Sequence, residues 1–130
     1  MPLPFANEDE FQTWIVVTAR NRGWRAFFIP GWMYRLAMAS MKRMKRGDRM
    51  WPDKGWPDLI LLRGEQDGRP ASLLVLEVKA EKGRTSPEQR EWLRDFQAVG
   101  IEATVVFPRD RDWLEERLAA YAGAKHCISC

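Results

Sequence analysis

At 130 residues, with 45% hydrophobic and 30% charged content, the chain has the size and make-up of one soluble domain with a real core. No apolar run approaches bilayer-crossing length, and Met1 to Asp9 lacks the basic start and apolar stretch of a secretory signal, so a cytoplasmic location is expected. The net charge of +3 hides an asymmetry: Arg20 to Lys54 holds ten Lys/Arg against Asp48 and Asp53, so this stretch carries +8 and the remainder −5, which suggests a polyanionic partner, a solvated helix face being the plainer alternative.

The first predicted element is a helix. Asn7 can cap it, Glu10 follows three residues later as in a capping box, and Gly23 ends it. Phe11, Trp14, Ile15 and Thr18 recur at helical spacing, and Glu8 and Gln12 lie on one edge of that face. Arg25 to Pro30 reads as a short aromatic strand. Trp32 to Arg46 reads as a second helix, with Met33, Leu36, Ala37, Met41 and Met44 at helical spacing, a basic far end (Lys42, Arg43, Lys45, Arg46) and Gly47 as the stop.

Leu59 to Arg63 and Ser72 to Lys79 read as two strands of a hairpin, joined by a polar turn from Glu65 to Pro70 that contains Asp67-Gly68. Leu73 to Leu76 is continuously apolar, which marks a central strand buried on both faces. After a polar loop, Glu81 to Thr85, Ser86-Pro87-Glu88-Gln89 carries the signature of a helix start: a capping serine, proline in the first turn and glutamine at the third position. Trp92, Leu93, Phe96 and Val99 form its inner face and Gly100 stops it. Ile101 to Phe107 is a further strand. Asp110 to Ala122 closes the pattern as a helix with Trp113, Leu114, Leu118 and Tyr121 inward.

The order α-β-(α)-β-β-α-β-α calls for an α/β or layered α+β fold, a small mixed sheet flanked by helices. One domain is expected over residues 1–130, with its core at about 8–107 and a frayed tail at 123–130. Cys127 and Cys130, beside His126, form a C-x-x-C with no second pair to complete a zinc site, and so read as part of that tail.

The chemistry-bearing residues are Asp58, Glu77 and Lys79. Residues two apart on a strand point to one side, so Glu77 and Lys79 share a face, and the neighbouring strand can bring Asp58 beside them. Two carboxylates and an ammonium on one sheet can hold a divalent metal and activate water. The carboxylates should then converge at one sheet edge. A structural ion pair between Glu77 and Lys79 is the alternative, because a charged group on a buried strand requires compensation.

Pro57-Asp58 followed by Glu77-Val78-Lys79 resembles the PD-(D/E)XK nuclease signature. Gly55-Trp56-Pro57-Asp58-Leu59-Ile60-Leu61, Leu76-Glu77-Val78-Lys79, Lys82-Gly83-Arg84, Ser86-Pro87-Glu88-Gln89-Arg90-Glu91-Trp92-Leu93 and Gly100 narrow this to a resemblance to the virus-type replication-repair nuclease (VRR-NUC) domain. The first helix resembles that family too, with Glu8 three before Phe11-Gln12 and Gly23-Trp24 at its end. The likeness runs from about Glu8 to Phe107.

This resemblance implies a restriction-endonuclease-like αβββαβ core and a Mg²⁺- or Mn²⁺-dependent endodeoxyribonuclease. It puts Asp58 and Glu77 on the metal, Lys79 at the water or scissile phosphate and Gln89 near the active site. Glu8 is implied as a further acid approaching the metal, with Glu10 as the fallback, and the main-chain carbonyl of Val78 is a possible ligand. Local roles compete for two of these: Gln89 as the third residue of a capping box, Glu8 as an acid at a helix N-terminus. Small stand-alone members of the family resemble structure-selective enzymes, which implies branched or four-way-junction DNA as substrate and a homodimer as the working form.

Arg35, Lys42, Arg43, Lys45, Arg46, Arg49, Lys54, Lys82 and Arg84 are the expected DNA-binding residues. The Met- and Arg-rich stretch between Trp32 and Trp51 departs from the family pattern. It can serve as a dimer surface (Met33, Met41, Met44), a DNA clamp, or both. Trp51 and Trp56 are candidates to stack on bases or to pack in the core. A sequence- or end-directed restriction-like nuclease cutting linear duplex and a nucleic-acid-binding module that does not cut are the rival readings.

Overall fold

The computed structural model describes residues 5–45 and 52–120. Its elements run α1 (Glu8–Asn21), β1 (Arg25–Phe27), α2 (Gly31–Met41), β2 (Leu59–Arg63), β3 (Ser72–Val78), α3 (Pro87–Ala98) and β4 (Glu102–Val106). A 3₁₀ turn at Pro108–Asp110 then leads into α4 (Arg111–Ala119). The strands form one sheet in the order β1-β2-β3-β4, antiparallel except for the parallel β3–β4 pair. This is the expected mixed α/β sheet with helices against it. The antiparallel β2–β3 pair needs only a hairpin, whereas parallel β4 needs a crossover, and α3 supplies it.

The hairpin turn is built by its residues. Asp67 (φ 50°) and Gly68 (φ 77°) are both left-handed, as a two-residue turn requires when it must match the twist of its strands. Gln66 and Arg69 exchange backbone hydrogen bonds of 3.1 and 2.7 Å across it.

Side-chain parity on the strands sorts the core into two faces. Leu59, Leu61, Leu74, Leu76 and Val78 pack with Phe11 and Ile15 of α1 and with Leu114 and Leu118 of α4. Val75 packs on the other face with Leu93 of α3 and Ala103 of β4, flanked by Ile60 and Phe96. β3 is therefore covered on both sides, as its apolar run predicts. Asp58, Glu77 and Lys79 have the parity of Ile60 and Val75, which directs them to the α3 side at one end of the sheet.

The opposite end is closed by charge. Arg63, 2% exposed, donates to the Leu118 carbonyl at 2.9 Å and also to that of Ala120. Its guanidinium lies over the Trp24 ring, 4.5 Å from the centroid. Trp24 Nε1 donates to the same Leu118 carbonyl at 2.8 Å. Arg117 of α4 reaches both carboxylate oxygens of Glu102 on β4, at 2.8–3.0 Å. These donors meet the last carbonyls of α4, where a helix has no partners of its own.

Several sequence expectations are corrected. β1 stops at Phe27 rather than Pro30, because its partner β2 begins at Leu59 and Pro30 has no N–H to offer. β3 ends at Val78, although the Lys79 N–H still donates to the Val106 carbonyl at 3.0 Å. α2 ends at Met41 rather than Arg46, and it buries no residue. Most helical stability comes from packing, and without a buried face the basic continuation leaves the helix. Gly47 and Trp51 lie outside the described residues.

α4 spans Arg111–Ala119 rather than reaching Ala122, and its inner stripe is Leu114, Arg117 and Leu118. The pairing of Arg117 with Glu102 fixes that rotation and leaves Trp113 outward, 38% exposed. Val99 is the C-cap of α3 and is 73% exposed, not part of the inner face. Tyr121, His126, Cys127 and Cys130 lie outside the described residues.

Candidate active site

The β2–β3 register pairs Leu59 with Leu76, so one step further back Asp58 stands opposite Glu77. The backbone holds it there: Val78 N–H donates to Asp58 Oδ2 at 2.9 Å. The two carboxyl groups face each other closely enough for Asp58 to raise the Glu77 carboxyl above its ordinary value. They meet at the end of the two middle strands, not at an edge of the sheet as expected. An interior position has walls on both sides, and Glu77 is fully buried.

Glu77 is held by two neighbours. Lys79 Nζ lies 3.6 Å from Glu77 Oε1, with the lysine side chain only 13% exposed. Gln89 Nε2 donates to the same Oε1 at 2.9 Å. Oε2 of Glu77 is buried and makes no hydrogen bond among the described residues. Burial, and next the Asp58 carboxylate, push the Glu77 carboxyl up to about 9, against the opposing pull of Lys79.

Gln89 resolves a choice the sequence left open, because its amide serves both purposes. Its Oε1 accepts from Ser86 N–H at 2.8 Å, and Gln89 N–H donates to Ser86 Oγ at 3.1 Å, which completes the capping box. The remaining Nε2 is thereby turned towards Glu77. The cap orients the site.

The loop before Asp58 is clasped onto the start of α3. Gly55 (φ +91°) approaches so closely that a Cβ would sit 2.6 Å from the carbonyl carbon of Glu88 and 2.8 Å from Gln89 N. Trp92 Nε1 donates to the Lys54 carbonyl at 3.1 Å. Trp56 packs edge-on against Trp92 with centroids 5.0 Å apart. Asp58 and Gln89 are thus set relative to one another by backbone contact. Sequence reasoning missed Gly55 and Trp92 as determinants of the site. The run Gly55-Trp56-Pro57-Asp58 was the available signal, a glycine and a proline bracketing an aromatic residue beside a carboxylate. Trp56, offered for base stacking, is half-buried in this packing.

Glu8 opens α1 and faces the pair from the side. Burial first, then the charge of Asp58, hold its carboxyl above the ordinary value, with Lys79 and the Ala80 backbone pulling the other way. Among the described residues, no group of three or more His, Cys, Asp or Glu side chains is arranged to hold a metal ion. Glu8 is therefore a neighbour of the Asp58–Glu77 pair rather than the third member of a cluster. Glu10 is used elsewhere: its Oε2 accepts from Ala6 N–H at 3.0 Å, and its N–H donates to the capping Asn7 at 2.8 Å.

The expected DNA-binding cations are spread over three places. Arg35 of α2 lines a cavity of about 570 Å³ that opens onto Asp58 and Glu8. Lys42, Arg43 and Lys45 are exposed beyond α2, and Lys82 and Arg84 are exposed on the loop after Lys79. Lys54 pairs with Glu88 at 3.1 Å. Arg46 and Arg49 lie outside the described residues. Of the apolar candidates on α2, Met33 and the nearby Met44 are exposed, and Met41 is half-buried.

The donor set suits a hard divalent cation. Mg²⁺ is held by oxygen ligands and needs only one or two carboxylates, because it keeps several waters. Asp58 and Glu77 present two convergent carboxylates, and the buried Glu77 Oε2 has an oxygen to give. Its raised pKa is what a carboxyl group awaiting a cation should show.

No helix among the described residues is long and apolar enough to cross a membrane. Neither a curated protein nor a solved structure gives a significant match. The model of one family, the VRR-NUC domain, does match, over residues 35–109. That span takes in Asp58, Glu77, Val78, Lys79 and Gln89 and leaves out α1, so the placement of Glu8 rests on geometry alone. The match carries with it a nuclease-type, DNA-cleaving function. With more than half of its length covered, the chain belongs to the VRR-NUC domain family.

Proposed function

We propose that the chain is a Mg²⁺- or Mn²⁺-dependent endodeoxyribonuclease selective for branched DNA, four-way junctions in particular, and that it forms one nuclease domain. The observation that carries the metal-dependent chemistry is the buried Glu77 Oε2, which has no hydrogen-bond donor among the described residues and belongs to a carboxylate facing that of Asp58. A native protein rarely leaves such an oxygen without a partner unless it has a use.

In this reading Asp58 and Glu77 hold the metal, with the Val78 carbonyl as a further oxygen and Glu8 alongside. A bound Mg²⁺ or Mn²⁺ supplies charge neutralisation at the phosphate and a water of lowered pKa. Gln89 keeps the Glu77 carboxylate from turning away. Lys79 brings its ammonium to the same point, where it orients the attacking water or meets negative charge on the phosphate oxygens. Arg35, the cations after α2, and Lys82 with Arg84 flank this point on different elements and grip the DNA backbone, so affinity should fall steeply with salt.

Selectivity for a junction requires two cuts related by a twofold axis, hence a symmetric dimer. The outward apolar residues Met33 and Leu36, 42% and 63% exposed, support a dimer surface on α2. The test is a panel of linear, flapped and four-way DNA incubated with Mn²⁺ and purified protein. Cleavage strongest on the four-way substrate and abolished by Lys79→Ala is the expected result. Cleavage of linear duplex at a fixed sequence would favour a restriction-like enzyme. Binding without cleavage at any salt would sink the nuclease reading in favour of a binding module.

A further inference from the structure

Two cavities, of about 570 and 390 Å³, share Asp9, Gln12, Gly31 and Arg35 in their walls. One wall of both is a single stripe of α1. Glu8, Gln12, Val16 and Arg20 fall at four-residue intervals along it. The other wall is the segment from Phe28 into the first turns of α2, including Trp32. Together they make one trough, about 18 Å from Glu8 to Arg20 at the helical rise per residue.

The trough changes character along its length. At one end are Asp58 and Glu8, the carboxylates of the candidate site. At the other are Trp32, 60% exposed, Phe28 and Val17, with Arg20 beside them. Arg20 and Arg35 belong to none of the ion pairs among the described residues. Among the described residues, Asp9 is the only acid lining the second cavity. An accessible indole face flanked by cations is what a single strand of nucleic acid requires, stacking for its bases and charge for its phosphates. Cavities of this volume have room for a few nucleotides.

We propose that this trough binds an unpaired DNA strand running on from the phosphodiester held at Asp58 and Glu77. Its bases lie against Trp32 and its phosphates against Arg35 and Arg20. The inference rests on the nuclease reading for which end faces the chemistry, and it adds that the strand beside the cleaved bond is unpaired when bound, whether it comes from a single-stranded arm or from base pairs opened at a junction.

The test is fluorescence anisotropy in EDTA with the full chain. The two probes are a blunt duplex of about twenty base pairs and the same duplex with a single-stranded arm of about ten nucleotides. The arm should tighten binding about tenfold. Trp32→Ala should bring the ratio of the two affinities to about one, whereas Trp32→Phe should keep most of it. Trp32 is exposed, so circular dichroism should show both variants folded.

A wild-type ratio of one, or a ratio indifferent to Trp32→Ala, overturns the proposal. So does loss of self-association in Trp32→Ala with the ratio unchanged, which would assign the trough to a second copy of the chain. Glu77-dependent cutting of blunt duplex with no arm effect would sink the trough and leave the nuclease. Binding that depends on the arm and on Trp32, without cleavage under any condition, would keep the trough and sink the nuclease.

Discussion

The two ends of the β2–β3 pair each bury charge, and they treat it in opposite ways. At the Arg63 end the charges meet groups of opposite polarity. Arg63 gives its terminal N–H groups to the last carbonyls of α4, and Arg117 meets both oxygens of Glu102. At the Glu77 end a fully buried carboxylate faces a second carboxylate, has one lysine at 3.6 Å, and keeps one oxygen without a donor. Burial of charge is costly in both places. At the first end guanidinium groups face carbonyl and carboxylate oxygens, their natural complements. The second sets two acids against each other, which marks it as the end built for a ligand rather than for stability.

Two substitutions should separate the ends most sharply. Glu77→Gln keeps the shape and removes the group that ionises to take a cation. Cleavage should fall by about a thousandfold, while the melting temperature in EDTA at neutral pH should stay level, because an amide replaces a carboxyl that holds its proton there. Arg63→Ala should do the reverse. It strips charged hydrogen bonds from the α4 carbonyls and removes the plane lying over Trp24, costing about 3 kcal/mol of stability. Cleavage per folded molecule should persist. Denaturant melts and single-turnover rates on both variants check the pair. A Glu77→Gln protein as destabilised as Arg63→Ala would make the Glu77 end structural after all.

What made one end readable in the sequence and the other not is the range of the rules involved. The convergence of Asp58 with Glu77 and Lys79 follows from two-residue parity and a hairpin whose Asp67-Gly68 turn announces itself. The Ser86–Gln89 box is equally local. Arg63 looked like the polar end of a strand, because its partners are carbonyls 55 and 57 residues away on a helix terminus. The inner face of α4 was misread for a related reason: Trp113 and Arg117 compete for the core side, and the winner is set by Glu102 on another element. Gln89 presented a false choice, since an amide has an acceptor and a donor and the fold uses each. The extent of α2 could not be read at all, because helical spacing of methionines says nothing about whether a partner surface exists.

A smaller effect tests whether the open end is held open from outside the carboxylates. Gly55→Ala adds a methyl where only 2.6–2.8 Å separates it from the Glu88–Gln89 backbone, at a φ of +91°. The left-handed backbone alone costs about 1 kcal/mol or more, and displacing the α3 start adds to it, so a loss of about 2 kcal/mol is expected. Because the clasp sets Asp58 against Gln89, divalent-cation affinity should weaken several-fold beyond what the melt explains. Calorimetric titration of Mn²⁺ into the folded variant reads this directly. Unchanged affinity would confine Gly55 to a packing role.

The gentlest probe is pH, and its sign reads the Glu77 end without any mutation. Glu77 titrates near 9 in the fold against an ordinary value of 4.5. Between those values the native chain holds a proton that the unfolded chain has lost, so the metal-free protein becomes less stable as pH rises. The contribution is whole below about pH 4.5 and is gone once pH passes about 9. A cation displaces that proton, so binding at pH 7 should release about one proton, and affinity should climb up to about tenfold per pH unit towards 9. Titrations in two buffers of different ionisation enthalpy count the proton. Glu77→Gln should release fewer protons and lose the downward slope of stability. If binding released no proton at pH 7, Glu77 would already be ionised in the metal-free fold, and Lys79 with Gln89 would suffice to hold its charge.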